Sequence, residues 1–149
     1  MYQLAEINVA RMIGINIDDP IMKEFVDNLE QVNRLAESSP GFVWRLKDES
    51  NNATQFNPFD NEQVIVNISV WESISALENF TYKTFHTDFL KRKKEWFSKY
   101  GMAHFAMWWI EKDIFPTLEE AIERLRHLQE NGPTDLAFNF KVKFLKPRS

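Results

Sequence analysis

A chain of 149 residues with no cysteine, four glycines and a formal charge of −4 is sized for one domain spanning residues 1–149, with a core that needs no cross-links. The absence of cysteine excludes disulfides, thiolate metal sites and cysteine nucleophiles. No stretch approaches the ~20 apolar residues that cross a bilayer, the first residues lack a signal-peptide pattern, and the acidic balance argues against nucleic acid, so a soluble cytoplasmic protein with neither membrane nor nucleic-acid partner is expected.

The first segment, residues 2–10, is apolar on both parities and reads as a strand with neither face fully wet. Asp19 and Pro20 then open a helix as N-cap and first-turn residues. Met22, Phe25, Leu29, Val32 and Ala36 give that helix one apolar stripe, and the run Ser38-Ser39-Pro40-Gly41 ends it. Phe42, Trp44 and Leu46 alternate with Val43, Arg45 and Lys47 in a second strand. Residues 48–62 form a polar loop, long for a hairpin connection. Residues 64–71 alternate as the strongest strand, with Val64, Val66, Ile68 and Val70 on one face and Ile65, Asn67, Ser69 and Trp71 on the other.

Ser73 caps a short helix carrying Ile74, Leu77 and Phe80. A break at Thr81-Tyr82-Lys83 separates it from a second helix over 84–99, with Phe85, Phe89 and Trp96 on its stripe and Gly101 beyond it. Residues 103–111 are another apolar strand. Thr117 and Glu120 form a capping box. Leu118, Ala121, Ile122, Leu125 and Leu128 follow on one face, and Gly132-Pro133 stops that helix. Phe138, Phe140, Val142 and Phe144 alternate with Asn139, Lys141 and Lys143 as a final edge strand.

The resulting order is β-α-β-β-α-α-β-α-β. It predicts an α+β fold: a ferredoxin-like split β-α-β antiparallel sheet with helices on one face and a C-terminal helix–strand extension. The greasy second face then calls for a partner's sheet, hence a homodimer through the open sheet face.

Several runs resemble a known family. They are Ser39-Pro40-Gly41-Phe42-Val43-Trp44-Arg45-Leu46, Val70-Trp71-Glu72-Ser73, Trp108-Trp109, Pro116-Thr117-Leu118-Glu119-Glu120-Ala121 and Gly132-Pro133-Thr134 with Ala137-Phe138-Asn139-Phe140. The chain is identified by them as similar to domain of unknown function 3291, a family grouped with the dimeric α+β barrels that include antibiotic-biosynthesis monooxygenases and haem-degrading enzymes. The resemblance implies a dimeric barrel and a pocket between sheet and helices, without an established reaction. The pattern shared in that group is a strand ending in Trp-x-Ser, a helix and a downstream histidine, here Trp71-Glu72-Ser73 and His86. The haem-degrading branch sets an asparagine on the first strand, a tryptophan on the second helix and a histidine beyond. Asn8 and His86 match two of these, but Phe80 stands where the tryptophan is expected.

Thirteen Phe, five Trp and three Tyr supply walls for an apolar pocket, and titratable groups among them supply chemistry. His86, flanked by Phe85 and Phe89, is the expected proton carrier; its alternative is a helix-end histidine bonded to backbone. His104, on the parity of Ala106 and Trp108, lines the cavity or closes a strand end. His127 is structural, near a helix C-terminus. Asn8, Asn67 and Ser69 are polar residues in apolar strands, which either bond each other or face a ligand. Trp71, Phe80, Tyr82 and Trp108 form the expected walls, although aromatics at this spacing also serve as core or interface. Lys91-Arg92-Lys93-Lys94 reads as a solvated face. No G-x-G-x-x-G, G-K-[ST] or H-E-x-x-H motif occurs, and no serine sits in a nucleophile elbow.

Taken together, the sequence predicts a pocket protein that resembles cofactor-independent monooxygenases and binds a small apolar or aromatic ligand. His86 and Asn8 would be catalytic, and Trp71, Phe80, Tyr82, Trp108, Ser69 and His104 would contact substrate. No metal and no cofactor are expected, with haem through His86 as one alternative and a non-catalytic ligand- or partner-binding dimer as the other.

Overall fold

The computed structural model describes residues 1–47, 63–85 and 92–147. Strand β1 (Tyr2–Met12) is the centre of an open, five-stranded antiparallel sheet. It pairs along most of its length with β3 (Val64–Trp71) on one side. On the other side it pairs with β5 (Phe105–Glu111) through Tyr2–Asn8, and with the two-residue β4 (Phe97–Ser98) at Arg11 and Met12. Strand β2 (Phe42–Arg45) adds to the far edge of β3, with a register shift between Phe42 and Trp44. The order β2-β3-β1-β5 is that of the split β-α-β arrangement, and the sheet does not close into a barrel.

Register decides which residues share a face. Leu4, Glu6 and Asn8 of β1 stand opposite Trp71, Ser69 and Asn67 of β3, and opposite Trp109, Met107 and Phe105 of β5. Ala5 and Ile7 share the other face with Val70, Ile68, Trp108 and Ala106.

The two faces have different covers. On the Leu4–Glu6–Asn8 face lie helices α1 (Lys23–Glu37) and α2 (Ile74–Phe85): Ala36 and Leu77 pack with Leu4, Trp71 and Met107, and Phe25 packs with Met12 and Trp96. The Ala5–Ile7–Val9 face is sealed by helix α3 (Leu118–Asn131), whose Ala121, Leu125 and Leu128 join Val66, Ile68, Ala106 and Trp108 in one cluster. The uncovered second face that suggested a homodimer is therefore closed within the chain. The partner sheet expected on it loses its premise.

Capping residues act where the sequence placed them. Asp19 accepts from the Ile21 N–H at the start of a 3-10 turn (Pro20–Met22) that leads into α1, and its other oxygen accepts from Ile15 N–H. Ser73 Oγ accepts from Ala76 N–H, and Thr117 Oγ1 from Glu120 N–H. Gly41 is needed for space and for conformation: its φ is +83°, and a Cβ there would stand 2.5 Å from the Ala76 Cβ. This close approach seats the start of β2 against α2.

Three elements differ from the sequence reading. The break expected at Thr81-Tyr82-Lys83 is absent. Instead the Thr81 and Thr84 hydroxyls donate to the carbonyls of Leu77 and Phe80, one turn back, and α2 continues. A helix over 84–99 does not form as one piece: its last residues are a 3-10 turn (Lys93–Glu95) followed by β4. The cause is capture by β1, because Ile13 N–H donates to the Trp96 carbonyl at 2.7 Å and Arg11 pairs with Ser98. The final strand over 138–144 is reduced to one bridge, Phe138 with Met107. The Asn139 side chain accepts from the backbone N–H groups of Lys141 and Val142 and turns the chain out of the ladder. Phe138 and Phe144 still pack beside the α1/α2 face, and Trp109 Nε1–H donates to the Phe144 carbonyl at 2.9 Å.

Candidate functional site

The α1/α2 face carries a polar strip across the middle of its sheet. Glu6 is 3% exposed. A carboxyl group at that depth needs a partner, and Ser69, directly opposite on β3, donates its hydroxyl to Glu6 Oε1 at 2.6 Å. Ser69 Oγ in turn accepts from the indole Trp71 Nε1–H at 2.8 Å. The three residues form one chain of hydrogen bonds, Trp71 to Ser69 to Glu6, running across two strands.

Burial dominates the electrostatics. Removal from water disfavours the carboxylate and raises the Glu6 pKa from 4.5 to about 8, while the Ser69 hydrogen bond pulls the other way and only partly offsets it. Glu6 is therefore mainly a neutral carboxylic acid at pH 7. Beyond Ser69 on β2 lies Arg45, in register with it and also buried. Arg45 Nε donates to Glu37 Oε1 of α1 at 3.3 Å, and Lys47 approaches the second oxygen at 3.6 Å.

One pleat further along the strands, the same face opens. Asn8 and Asn67 are cross-strand partners and both are exposed. Residues two apart on a strand share a face at a spacing of roughly 7 Å, so a sealed carboxyl adjoins a water-facing pair of amides. Aromatic rings flank this strip. Trp71 stacks on Phe80 of α2 at 5.1 Å and meets Phe42 edge-on at 5.4 Å; on the β5 side Phe105 stacks on Phe140 at 5.1 Å.

The structure sorts the residues singled out in the sequence. Ser69, Trp71 and Phe80 come together on this face, and Asn8 stands on it with its side chain exposed. Tyr82 is on α2 but 66% exposed: two residues past Phe80, it is turned by about 200° around the helix. Trp108 is fully buried on the opposite face, under α3, with Arg124 5.9 Å from its ring centroid. It cannot share a wall with Trp71. His104 is exposed just before β5; its carbonyl accepts from Val9 N–H and its ring lies near Tyr100. His127 bonds Thr134 and Asn131. His86 lies outside the described residues, so its placement beside this strip is not part of the geometry.

Glu6 and Arg45 are site residues that motif reading passed over. The signal was present, because Glu6 is a charged residue at an inward position of a strand apolar on both parities. Arg92, from the basic run, pairs with Glu24 and Glu95 on the surface. Among the described residues no group of three His, Asp or Glu side chains is placed to hold a metal ion, and no histidine lies on the α1/α2 face to ligate haem. Among them, too, no helix is long and apolar enough to cross a membrane.

The motifs and the strand order meet in one comparison: the family model for a domain of unknown function, DUF3291, matches residues 3–149. The chain belongs to the DUF3291 family. No curated protein matches it. Solved structures similar to this member include the cofactor-independent oxygenase SnoaB from Streptomyces nogalater. A mutant form of SnoaB matches with 14% identity, a TM-score of 0.48 and coverage of 78% of this chain and 96% of that one. A second SnoaB structure gives 16%, 0.45 and coverage of 79% and 98%. Protein SO0527 from Shewanella oneidensis gives 8%, 0.44 and coverage of 74% and 95%.

Proposed function

We propose that this DUF3291 member binds a small, flat, apolar or aromatic molecule on the α1/α2 face, with Glu6 as the group that exchanges a proton or hydrogen bond with it. The observation that carries this reading is a carboxyl group sealed among apolar residues, poised to titrate near neutral pH, one pleat from the exposed Asn8–Asn67 pair. A purely structural interior has little use for such a group, because an apolar side chain there would avoid the desolvation cost. Phe80 and Phe105, both half-buried, supply ring surface over the sealed Trp71, and Asn8 and Asn67 supply amides to orient polar substituents. All these residues belong to one chain.

The chemistry open to the site is proton transfer, as in an isomerisation or a cofactor-independent oxidation of an acidic aromatic compound. His86 is the second candidate proton carrier. In any such reaction the variants Glu6→Gln and His86→Ala separate the two roles: the carrier's variant loses turnover and the other retains it. A non-catalytic binding role is favoured by a different observation, the mutual packing of Trp71, Phe80 and Phe42, which already occupy one another's faces.

The test is amide and indole NMR spectra during addition of 2-acetonaphthone. The expected result is movement of the Trp71 Nε1–H resonance and of Glu6, Asn8 and Asn67. Movement confined to α3 and the Trp108 face, or none at the solubility limit, would overturn the reading.

A further inference from the structure

One end of the α3 face gathers hydrogen-bonding groups that the chain leaves unspent. Arg11 lies two residues past the sealed Val9 on β1, so the two share a face, and it stands opposite Ser98 of β4. His104 continues the β5 register across from Val9, whose N–H donates to the His104 carbonyl at 2.9 Å. That places His104 on the same face, diagonal to Arg11 at a spacing of roughly 7–8 Å. Tyr100 packs beside both: its ring centroid is 5.2 Å from the Arg11 guanidinium carbon and 6.4 Å from the His104 ring. Gly101, with φ +89°, turns the chain between them, and Gln129 of α3 donates to the Ala103 carbonyl at 2.8 Å, tying that turn to the helix.

Among the described residues Arg11 is the one arginine whose guanidinium makes neither a hydrogen bond nor an ion pair. Arg34, Arg45, Arg92 and Arg126 face carboxylates, and Arg124 donates to the Leu136 carbonyl. Among the same residues the Tyr100 hydroxyl and the His104 ring nitrogens are equally without a partner. Stacking on Tyr100 engages the face of the guanidinium and leaves its in-plane N–H groups free to donate. Residues 7–17 and 96–110 contain no Asp or Glu, and Lys99 adds an exposed positive charge, so this rim is basic in a chain of net charge −4. The donors border water rather than a sealed interior, since His104 is exposed and Arg11 and Tyr100 are half-buried.

We propose that Arg11, Tyr100 and His104 form a second binding site, which takes the phosphate group of a phosphomonoester. The site is independent of the α1/α2-face reading and moves His104 from that pocket to this one. A phosphoryl group presents three oxygens in tetrahedral directions, which three donors on separate arms can meet; the flat guanidinium fork takes two of them side by side. A carboxylate presents only two, in one plane. The fourth phosphate oxygen then points to water, where the ester's organic body attaches. Met102, 57% exposed and two residues past Tyr100, offers that body apolar surface.

The experiment titrates phenyl phosphate, inorganic phosphate and benzoate into the full chain at low ionic strength, followed by calorimetry and by amide and arginine side-chain NMR. Phenyl phosphate should move Arg11 Nε–H and the amides of Tyr100, Gly101 and His104, and bind about tenfold tighter than benzoate. Arg11→Lys keeps the charge but loses the fork, and should weaken phenyl phosphate about tenfold. Tyr100→Phe keeps the ring under Arg11 and should weaken it about threefold, as should His104→Gln at its exposed position. Arg34→Lys, on the surface of α1, controls for a general change of arginine to lysine and should leave binding unchanged. Benzoate binding as tightly as phenyl phosphate, an Arg11→Lys affinity equal to that of the unmodified protein, or shifts centred on Lys141 and Lys143 would overturn the site. Should Arg11→Lys fail to fold, unchanged affinity in His104→Gln overturns it instead. Inorganic phosphate binding as tightly as phenyl phosphate would overturn the ester assignment and leave the free ion as the occupant.

Discussion

The two faces of this sheet are made by alternate residues of the same strands, and they solve different problems. Under α3, Ala5, Ile7 and Val9 meet Val66, Ile68, Ala106 and Trp108, and every one of them is sealed. Under α1 and α2, Leu4, Glu6 and Asn8 meet Trp71, Ser69 and Asn67, and exposure runs from zero at Trp71 to open at the asparagine pair. One pleat of difference separates a hydrophobic floor from a polar strip ending in a neutral carboxyl. The α3 face shows what these strands do when only packing matters. The other face departs from that pattern at a few positions, and those positions hold the candidate chemistry.

The contrast breaks most strongly with pH. The folded-state pKa of Glu6 is raised above its unfolded value, so the native state keeps a proton that the unfolded chain releases. The stability this contributes is complete below about pH 4.5 and is lost as pH rises through about 8. The limiting loss is roughly 5 kcal/mol, an upper bound since relaxation and water entry reduce it. Urea denaturation at several pH values should show this decline for the unmodified protein, and a flatter profile with higher stability above pH 8 for Glu6→Gln. Among the described residues the α3 face carries no such group, so its variants leave the pH profile intact. Leu125→Ala should cost about 3 kcal/mol through the cavity it leaves, at every pH, with binding of 2-acetonaphthone retained. Ser69→Ala comes next. It removes a donor to the Glu6 carboxylate and should raise the Glu6 titration midpoint further, at a stability cost of about 1 kcal/mol. Asn8→Ala is the smallest. As an exposed substitution it should change stability by less than about 0.5 kcal/mol, yet weaken 2-acetonaphthone binding; unchanged binding would remove Asn8 from the site.

How much of this was legible follows from what sequence patterns encode. Period-2 and period-3.6 apolar spacing gave β1, β3, β5, α1 and α3, and the caps at Asp19, Ser73 and Thr117 were visible as residue types. The pairing of Trp71 with Trp108 as joint walls failed for a physical reason. Both are tryptophans on apolar strands, but their faces depend on register, and Leu4 pairs with Trp71 while Ala5 pairs with Trp108. That offset is set by long-range strand pairing, which no local window contains. The alternation of Phe138, Phe140, Val142 and Phe144 is real and predicts a final strand, but the Asn139 side chain competes for the backbone N–H groups a ladder needs. Helix α2 runs through its expected break, with the Thr81 and Thr84 hydroxyls taken up by carbonyls of the preceding turn. Histidines are the usual titrating residues near pH 7, so Glu6 does not stand out in the sequence as a proton carrier. A glutamate enters that range only when burial displaces its pKa, and burial is a property of the fold.

The most direct test of this account is the titration of the Glu6 side-chain carboxyl carbon by ¹³C NMR, with the resonance assigned by its absence in Glu6→Gln. A midpoint near 8, moving upward in Ser69→Ala, is the expected result. A midpoint near the ordinary 4.5 would mean that the carboxyl is solvated and ionised at neutral pH, and would contradict a site built around a sealed, neutral acid.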